Sequence, residues 1–344
     1  MSRFIVCDHL VLATIGIALG ACDVVETSTA TTSQHGETMQ GETMQGETMQ
    51  GETMQGMTLL GLRMADATLA GAALDEVHVE RGELVGRRGS EILRGAALVG
   101  AELHAVAQSS DANRAATADV TYRITAVEPE DPAYDPTSTG HTSLYTLEQW
   151  VADRGLWQLA CPADADGRHV AIPLAAIWDE HGDRIESSTL FTFGCTFGVI
   201  AKCYRWGYRP WVTGYGDLTA MHWTCTRLAR ADYCGNGIPH TRNGTTINVW
   251  DTLPAPGPIQ RHGLLPHVGM VFEAGWNTGG AVCLSHARWL QDDGAALAAL
   301  CPDRLIAPGL GGTVCDAVSD VLGYAPDAQM FNESYLNVSL TPGP

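Results

Sequence analysis

The densest run of chemically capable side chains lies between Asp232 and Asp251. Asp232, His240 and Asp251 place two carboxylates and an imidazole in one short stretch. Those residue types hold cations, bind polar ligands and pass protons. They serve structure equally well: Asp232 can cap a neighbouring backbone, His240 can make one structural hydrogen bond, and Asp251 can begin a turn. No relay partner is identifiable at the level of sequence. The structural reading is therefore the expectation, and the three stand as candidate catalytic residues.

Two other acidic clusters suggest metal ligands. Asp164, Asp166 and Gly167 open like a calcium loop, but Arg168, His169 and Val170 fall where further oxygen ligands should follow. A hairpin turn is expected there, and a solvated turn at Asp179-Glu180-His181-Gly182-Asp183. The chain contains no G-x-S-x-G, H-E-x-x-H, P-loop or strand-borne G-x-G-x-x-G pattern. No cofactor and no metal site is expected. A pair of carboxylates for glycoside hydrolysis stays open, because their separation is spatial. Trp206, Trp211, Trp223 and Trp250 would suit sugar stacking if exposed; the expectation is that they build a core.

The elements that must position these residues are partly legible. In LTAMHWTCTRLARADYC (218–234), Leu218, Met221, Cys225, Leu228 and Ala231 fall at spacings of three and four, one apolar face of a helix. Gly235 suits the C-terminal cap of that helix, and Asn236-Gly237 adds a turn. The loop carrying His240 leads into the strand INVWD, which ends on Asp251. GVIAKCYRWGY and AVCLSHARWLQ also read as helices, while VTYRITAV, HTSLYTLEQW, LWQLAC and VAIPLAAIWD read as strands. Residues 118–300 are expected to form one disulfide-rich α+β domain with short helices. Pro and Gly become frequent after Cys301, so 301–344 is expected as a loosely attached tail.

The beginning of the chain speaks of export. Arg3 precedes an apolar stretch from Leu10 to Ala21, of signal-sequence length. It is shorter than the about 20 residues of a spanning helix. Leu19-Gly20-Ala21-Cys22 resembles the lipobox of bacterial lipoproteins, which implies removal of residues 1–21 and lipidation of Cys22. Cleavage after Ala21 with an unmodified Cys22 is the alternative. A tether and four GETMQ repeats fill residues 22–56, expected as flexible spacer. A five-residue beat continues through 57–104 at Leu59, Met64, Leu69, Leu74, Val79 and Leu84, then at Leu93, Leu98 and Leu103. That period fits neither helix nor strand, and it resembles pentapeptide-repeat solenoids. The expectation for 57–104 is a β-rich segment, solenoid or irregular meander.

Cysteine usage agrees with export. Of 10 cysteines, Cys7 lies in the signal and Cys22 at the lipobox. Cys161, Cys195, Cys203, Cys225, Cys234, Cys283, Cys301 and Cys315 remain, an even set that implies up to four disulfides. Geometry excludes one pairing: nine residues of helix separate Cys225 and Cys234 by about 13 Å, against the roughly 4.4–6.8 Å a disulfide needs. Cys203 is the tentative partner of Cys225, Cys195 or Cys283 the candidates for Cys234, and Cys301 could close on Cys315. The formal charge of −19 repels nucleic acid and anionic headgroups, and the expected partners are a membrane reached through lipid and an unspecified protein or polysaccharide.

Arg230-Ala231-Asp232-Tyr233-Cys234-Gly235-Asn236-Gly237 resembles the signature of the ADYC-domain family. Phe193-Gly194-Cys195, Ala201-Lys202-Cys203, Gly207-Tyr208-Arg209-Pro210-Trp211, Cys225-Thr226-Arg227-Leu228, Pro239-His240-Thr241, Ile247-Asn248-Val249-Trp250-Asp251 and Ala281-Val282-Cys283 extend the likeness over about 118–290. The resemblance implies a secreted or lipid-anchored bacterial protein, mainly myxobacterial, and implies no particular reaction. The expected function is an exported cell-envelope lipoprotein that binds or scaffolds without catalysing. An extracellular hydrolase acting on a polymer through Asp232, His240 and Asp251 is the alternative.

Overall fold

The computed structural model describes residues 39–41, 59–109, 117–131, 142–179, 181–241, 245–254, 256–260, 269–288, 297, 299–302 and 315–335. The signal sequence, Cys22 and most of the GETMQ repeats lie outside the described residues. Within the repeats, Met39–Gly41 forms a strand, β1.

Short strands follow from the start of the periodic segment: β2 (Leu59–Leu69), β3 (Ala72–Ala73), β4 (Glu76–Glu80), β5 (Glu83–Arg88), β6 (Glu91–Arg94) and β7 (Ala101–Ser109). They pair antiparallel, as a meander and not as a solenoid. Two-residue turns with both φ positive, Ala70-Gly71 and Arg81-Gly82, match the twist of their hairpins. Leu74, Leu84, Leu93, Leu98 and Leu103 of the five-residue beat are all buried. Gly82 has a second constraint, since a β-carbon there would stand 2.5 Å from the Trp211 ring.

The meander continues through β8 (Thr117–Pro129), β9 (Ser143–Val151), β10 (Leu156–Leu159), β11 (Val170–Leu174), β12 (Ala176–Trp178), β13 (Arg184–Glu186) and β14 (Thr192–Cys195). Eight of these strands form one sheet in the order β14-β11-β9-β8-β7-β2-β3, with β10 added on β9. One of its faces buries Leu62, Leu103, Tyr122, Ile124, Leu147 and Phe193. The other contributes Leu144, Val170, Ile172 and Leu174 to a second core. Strand β11 is therefore buried on both faces, which explains its unbroken apolar run VAIPL. Pro173 is tolerated because β9 pairs with β11 only at Val170 and Ala171.

Two helices pack on that second core. Helix α1 spans Val199–Arg205 and α2 spans Leu218–Arg230. The Asp217 carboxylate starts α2, accepting from the amides of Thr219 and Ala220 at 3.0 and 3.2 Å. The far side of the core is a five-stranded sheet of order β1-β15-β18-β16-β17, with β15 at Thr245–Asp251, β16 at Met270–Asn277, β17 at Gly280–Leu284 and β18 at Met330–Tyr335. Val249, Ala274, Trp276 and Met330 bring that sheet into the helices' core. A third helix, α3 (Val318–Tyr324), packs Val321 beside Cys283, Cys315 and Phe331. The chain is thus a strand-rich, disulfide-rich α+β protein.

Two expectations are overturned. Ala281–Leu284, the start of the AVCLSHARWLQ segment, lies in strand β17 where a helix was expected, because Asn277 to Gly280 (φ 117°) turns the chain back on β16. The described part of the expected tail, 315–335, is integral to the fold: β18 inserts between β15 and β16, the centre of the second sheet. Its sequence, MFNESY, buries Asn332, Glu333 and Ser334, so it lacks the apolar alternation that marks a strand.

The disulfides are Cys161–Cys195, Cys203–Cys225, Cys234–Cys301 and Cys283–Cys315. Cys203–Cys225 ties α1 to α2 as expected, and Cys225 is not joined to Cys234. Cys234 and Cys315 choose other partners than expected, because β17 and β18 draw the later segments into the sheet. Four such bonds belong to a protein folding in an oxidising envelope or extracellular compartment. Among the described residues, no helix is long and apolar enough to cross a membrane.

Peptide mapping without reduction is expected to return these four pairs, and a Cys225–Cys234 fragment would contradict the helix between them. A second test concerns His222, buried on α2, whose Nε2–H donates to the Ile200 carbonyl at 3.0 Å. Tyr204 lies 4.1 Å and Trp178 5.7 Å from its ring centroid. Burial, with the Arg184 charge adding to it, pulls its pKa from 6.5 to about 3. Between those values the unfolded chain binds one proton more than the folded one. Stability is therefore full above pH 6.5 and falls on acidification by about 1.4 kcal/mol per pH unit. His222→Gln should flatten that slope in acid titrations of urea midpoints; equal slopes would refute the assignment.

Candidate functional site

The signature Ala231-Asp232-Tyr233-Cys234 sits where α2 ends. Ala231 takes the left-handed conformation (φ 53°) and its amide caps the carbonyls of Arg227 and Leu228. The cap is thus an alanine, four residues before the Gly235 that the sequence suggested. Gly235 has another role: a β-carbon there would meet the Gly279 carbonyl at 1.9 Å. Gly280 is crowded in return by the Tyr233 carbonyl. The signature backbone therefore lies directly against the β16–β17 turn, and the Ala281 amide donates to the Tyr233 carbonyl at 3.0 Å.

Asp232 is completely buried. Its carboxylate accepts from Arg227 Nη1 and from the amides of Asn236 and Gly237, both at 3.0 Å. Arg227, equally buried, reaches further: Nη2 pairs with Asp183, Nη1 also meets the His181 carbonyl, and Nε donates to the Thr278 carbonyl at 3.1 Å. One guanidinium thereby fastens α2 to the β12–β13 turn and to the β16–β17 turn. The cluster expected as a solvated turn at 179–183 is half claimed by this contact.

Tyr233 anchors the other side. Its ring stacks on Trp276 at 5.3 Å, and its hydroxyl donates to Glu273 Oε1 at 3.1 Å while accepting from the Arg288 amide at 2.8 Å. Arg288 holds Glu273 with two bonds of 3.0 Å and donates to the Leu228 and Ala229 carbonyls at the end of α2. Burial opposes ionisation of Glu273, and the Arg288 charge outweighs it, holding the carboxyl below its usual range. Burial and the Glu273 charge push the Tyr233 hydroxyl well above its ordinary value, so it remains a donor.

Asp251 belongs to a separate set. It accepts from the Tyr208 hydroxyl at 2.9 Å and from the amides of Gln260 and Leu253 at 2.8 and 3.0 Å. Burial raises its pKa. His240 is half-buried, its amide bonded to the Arg230 carbonyl and its ring 5.6 Å from that of Tyr233. Asp232 and Asp251 share no partner. Asp164 closes a turn, accepting from the amides of Asp166 and Arg168 and from the Thr196 hydroxyl. Among the described residues, no three His, Cys, Asp or Glu side chains group as metal ligands would. Trp206 and Trp211 pack on the core, Trp223 lies beneath Arg227, and Trp250 packs on Phe331.

The sequence reading missed Arg227, Glu273 and Arg288. A signal for Glu273 was present: a carboxylate inside the run MVFEAGW needs a buried counter-charge. Removing Asp232 would leave the buried Arg227 with two carbonyls and with the half-exposed Asp183 as its remaining carboxylate. Asp232→Ala is expected to cost about 3–5 kcal/mol of unfolding free energy, read by urea titration with disulfides intact. A loss under about 1 kcal/mol would mean that Asp232 does not hold the helix end.

No curated protein and no solved structure matches the chain. A family model described as the ADYC domain matches residues 95–290, more than half of the chain. That span contains the α1–α2 pair, the Arg227–Asp232 and Arg288–Glu273 pairs and the signature that joins them. The chain belongs to the ADYC-domain family.

Proposed function

We propose that this is an exported cell-envelope lipoprotein, anchored through lipidated Cys22, whose ADYC domain binds or scaffolds a partner and catalyses no reaction. The observation that carries the reading is the state of Asp232. It is fully buried and accepts from Arg227 and two backbone amides, all structural groups, so no solvent-facing oxygen is left for a substrate to reach. Asp251 is similarly occupied by Tyr208, Gln260 and Leu253. A general acid or base must reach the proton it moves; these two carboxylates reach structural groups. The oxidising compartment implied by four disulfides agrees with export, and Leu19-Gly20-Ala21-Cys22 supports the lipid.

Two measurements on the expressed protein test this. Cys22→Ser should move the protein from the membrane fraction to the soluble fraction after a carbonate wash, and retention there would defeat the anchor. Incubation of the full chain with purified peptidoglycan or envelope polysaccharide should release no soluble fragments. Release that His240→Ala abolishes would establish the hydrolase reading instead.

A further inference from the structure

Arg230 is the last residue of α2, and its side chain is 4 % exposed. Its Nη2 donates to the Gly237 carbonyl, and its Nε is buried with no hydrogen-bond partner. The two arginines at the same helix end are neutralised, Arg227 by Asp232 and Asp183, and Arg288 by Glu273. Arg230 has no carboxylate oxygen in salt-bridge reach among the described residues. The nearby Asp232 carboxylate turns its oxygens to Arg227 and the amides of Asn236 and Gly237, and acts on Arg230 only through its charge at longer range.

A desolvated guanidinium without a counter-ion is costly. One carbonyl, that of Gly237, takes a hydrogen bond from the group, and no carboxylate among the described residues is in ion-pair reach to balance its charge. Burial draws its pKa down to about 10 even though Asp232 works in the opposite direction. The Gly237 carbonyl turns the guanidinium toward the 235–241 loop, which carries the half-buried His240.

We propose that Arg230 is the floor of an oxyanion-binding site beneath the 235–241 loop, taking a single carboxylate or phosphate group from the domain's partner. Planar guanidinium donors match such a group in pairs of hydrogen bonds. The net charge of −19 repels polyanions at long range, so the ligand is one anionic group on an otherwise neutral or cationic molecule. This deepens the binding reading above and rests on it. Its failure would leave the fractionation of the Cys22→Ser variant unchanged, so the two are separable.

The test uses the full chain in sodium acetate, sodium phosphate and sodium chloride at matched ionic strength. A saturable rise in the thermal midpoint is expected in acetate, in phosphate or in both, relative to chloride. A response to acetate alone assigns a carboxylate, and one to phosphate alone a phosphate. Arg230→Gln should weaken the response at least about tenfold in apparent affinity. Arg230→Met should keep or raise the midpoint in chloride, whereas removal of an arginine that only holds the fold would lower it. Should these variants fail to fold, the Arg230 Nε–Hε resonance of the unsubstituted chain, assigned through Arg230→Lys, should shift saturably with the active anion. Equal midpoints in all three salts, a resonance that no anion moves, or an anion response retained by Arg230→Gln would each overturn the site.

Discussion

A guanidinium leaves water only at a cost of several kcal/mol, unless carboxylate and carbonyl oxygens replace its hydration. The second core depends on that exchange being made at one end of α2. Arg288, rising from the segment after β17, offers its donors to Glu273 and to the Leu228 and Ala229 carbonyls at the end of the helix. Carbonyls of a last turn lack the regular partner that the helix gives to those before them. The same ion pair therefore closes the helix, fixes the β16–β17 hairpin beneath it, and leaves the Tyr233 hydroxyl a single place between Glu273 and the Arg288 amide. Arg227 repeats the device on the other side with Asp232.

This explains why the signature has the residues it has. Ala231 is small enough to tolerate a left-handed turn, though at some strain for a residue with a β-carbon. Asp232 gathers two amides of the next turn while neutralising Arg227. Tyr233 is both a flat surface for Trp276 and a hydrogen-bonding tip. Cys234 then ties the segment to Cys301. Glycines at 235 and 280 let the two backbones touch. In this chain the tetrad functions as a joint between a helix and a hairpin.

The sequence made some of this legible and concealed the rest for physical reasons. Helix α2 was readable because its apolar spacing is a local signal; its Asp217 cap, equally local, was not read. The exclusion of a Cys225–Cys234 bond followed from that helix alone. The inward leucines of 74–103 showed as a period, but period does not distinguish a coil from antiparallel strands; the Ala70-Gly71 and Arg81-Gly82 turns do. Strand β18 was hidden because its buried residues are polar, their partners lying far away in sequence: Asn248 donates to Glu333, and Trp276 to Asn332. Asp232, His240 and Asp251 were visible as residue types, while their separate engagements were not. Carboxylates that bind arginine and carboxylates that bind substrate look the same in one dimension.

The placement of β18 bears on the order in which the two sheets can form. A sheet whose central strand comes after both of its flanking strands cannot close until that strand has been delivered. While β15, β16 and β17 emerge, they have no common partner, and two of the cysteines that will cross-link the later segments, Cys301 and Cys315, are still behind them. Such an order of assembly leaves the eight-stranded sheet, complete by Cys195, free to form first. The second sheet closes last, around a strand from the far end of the described chain, and its two bonds to Cys301 and Cys315 then make that closure permanent.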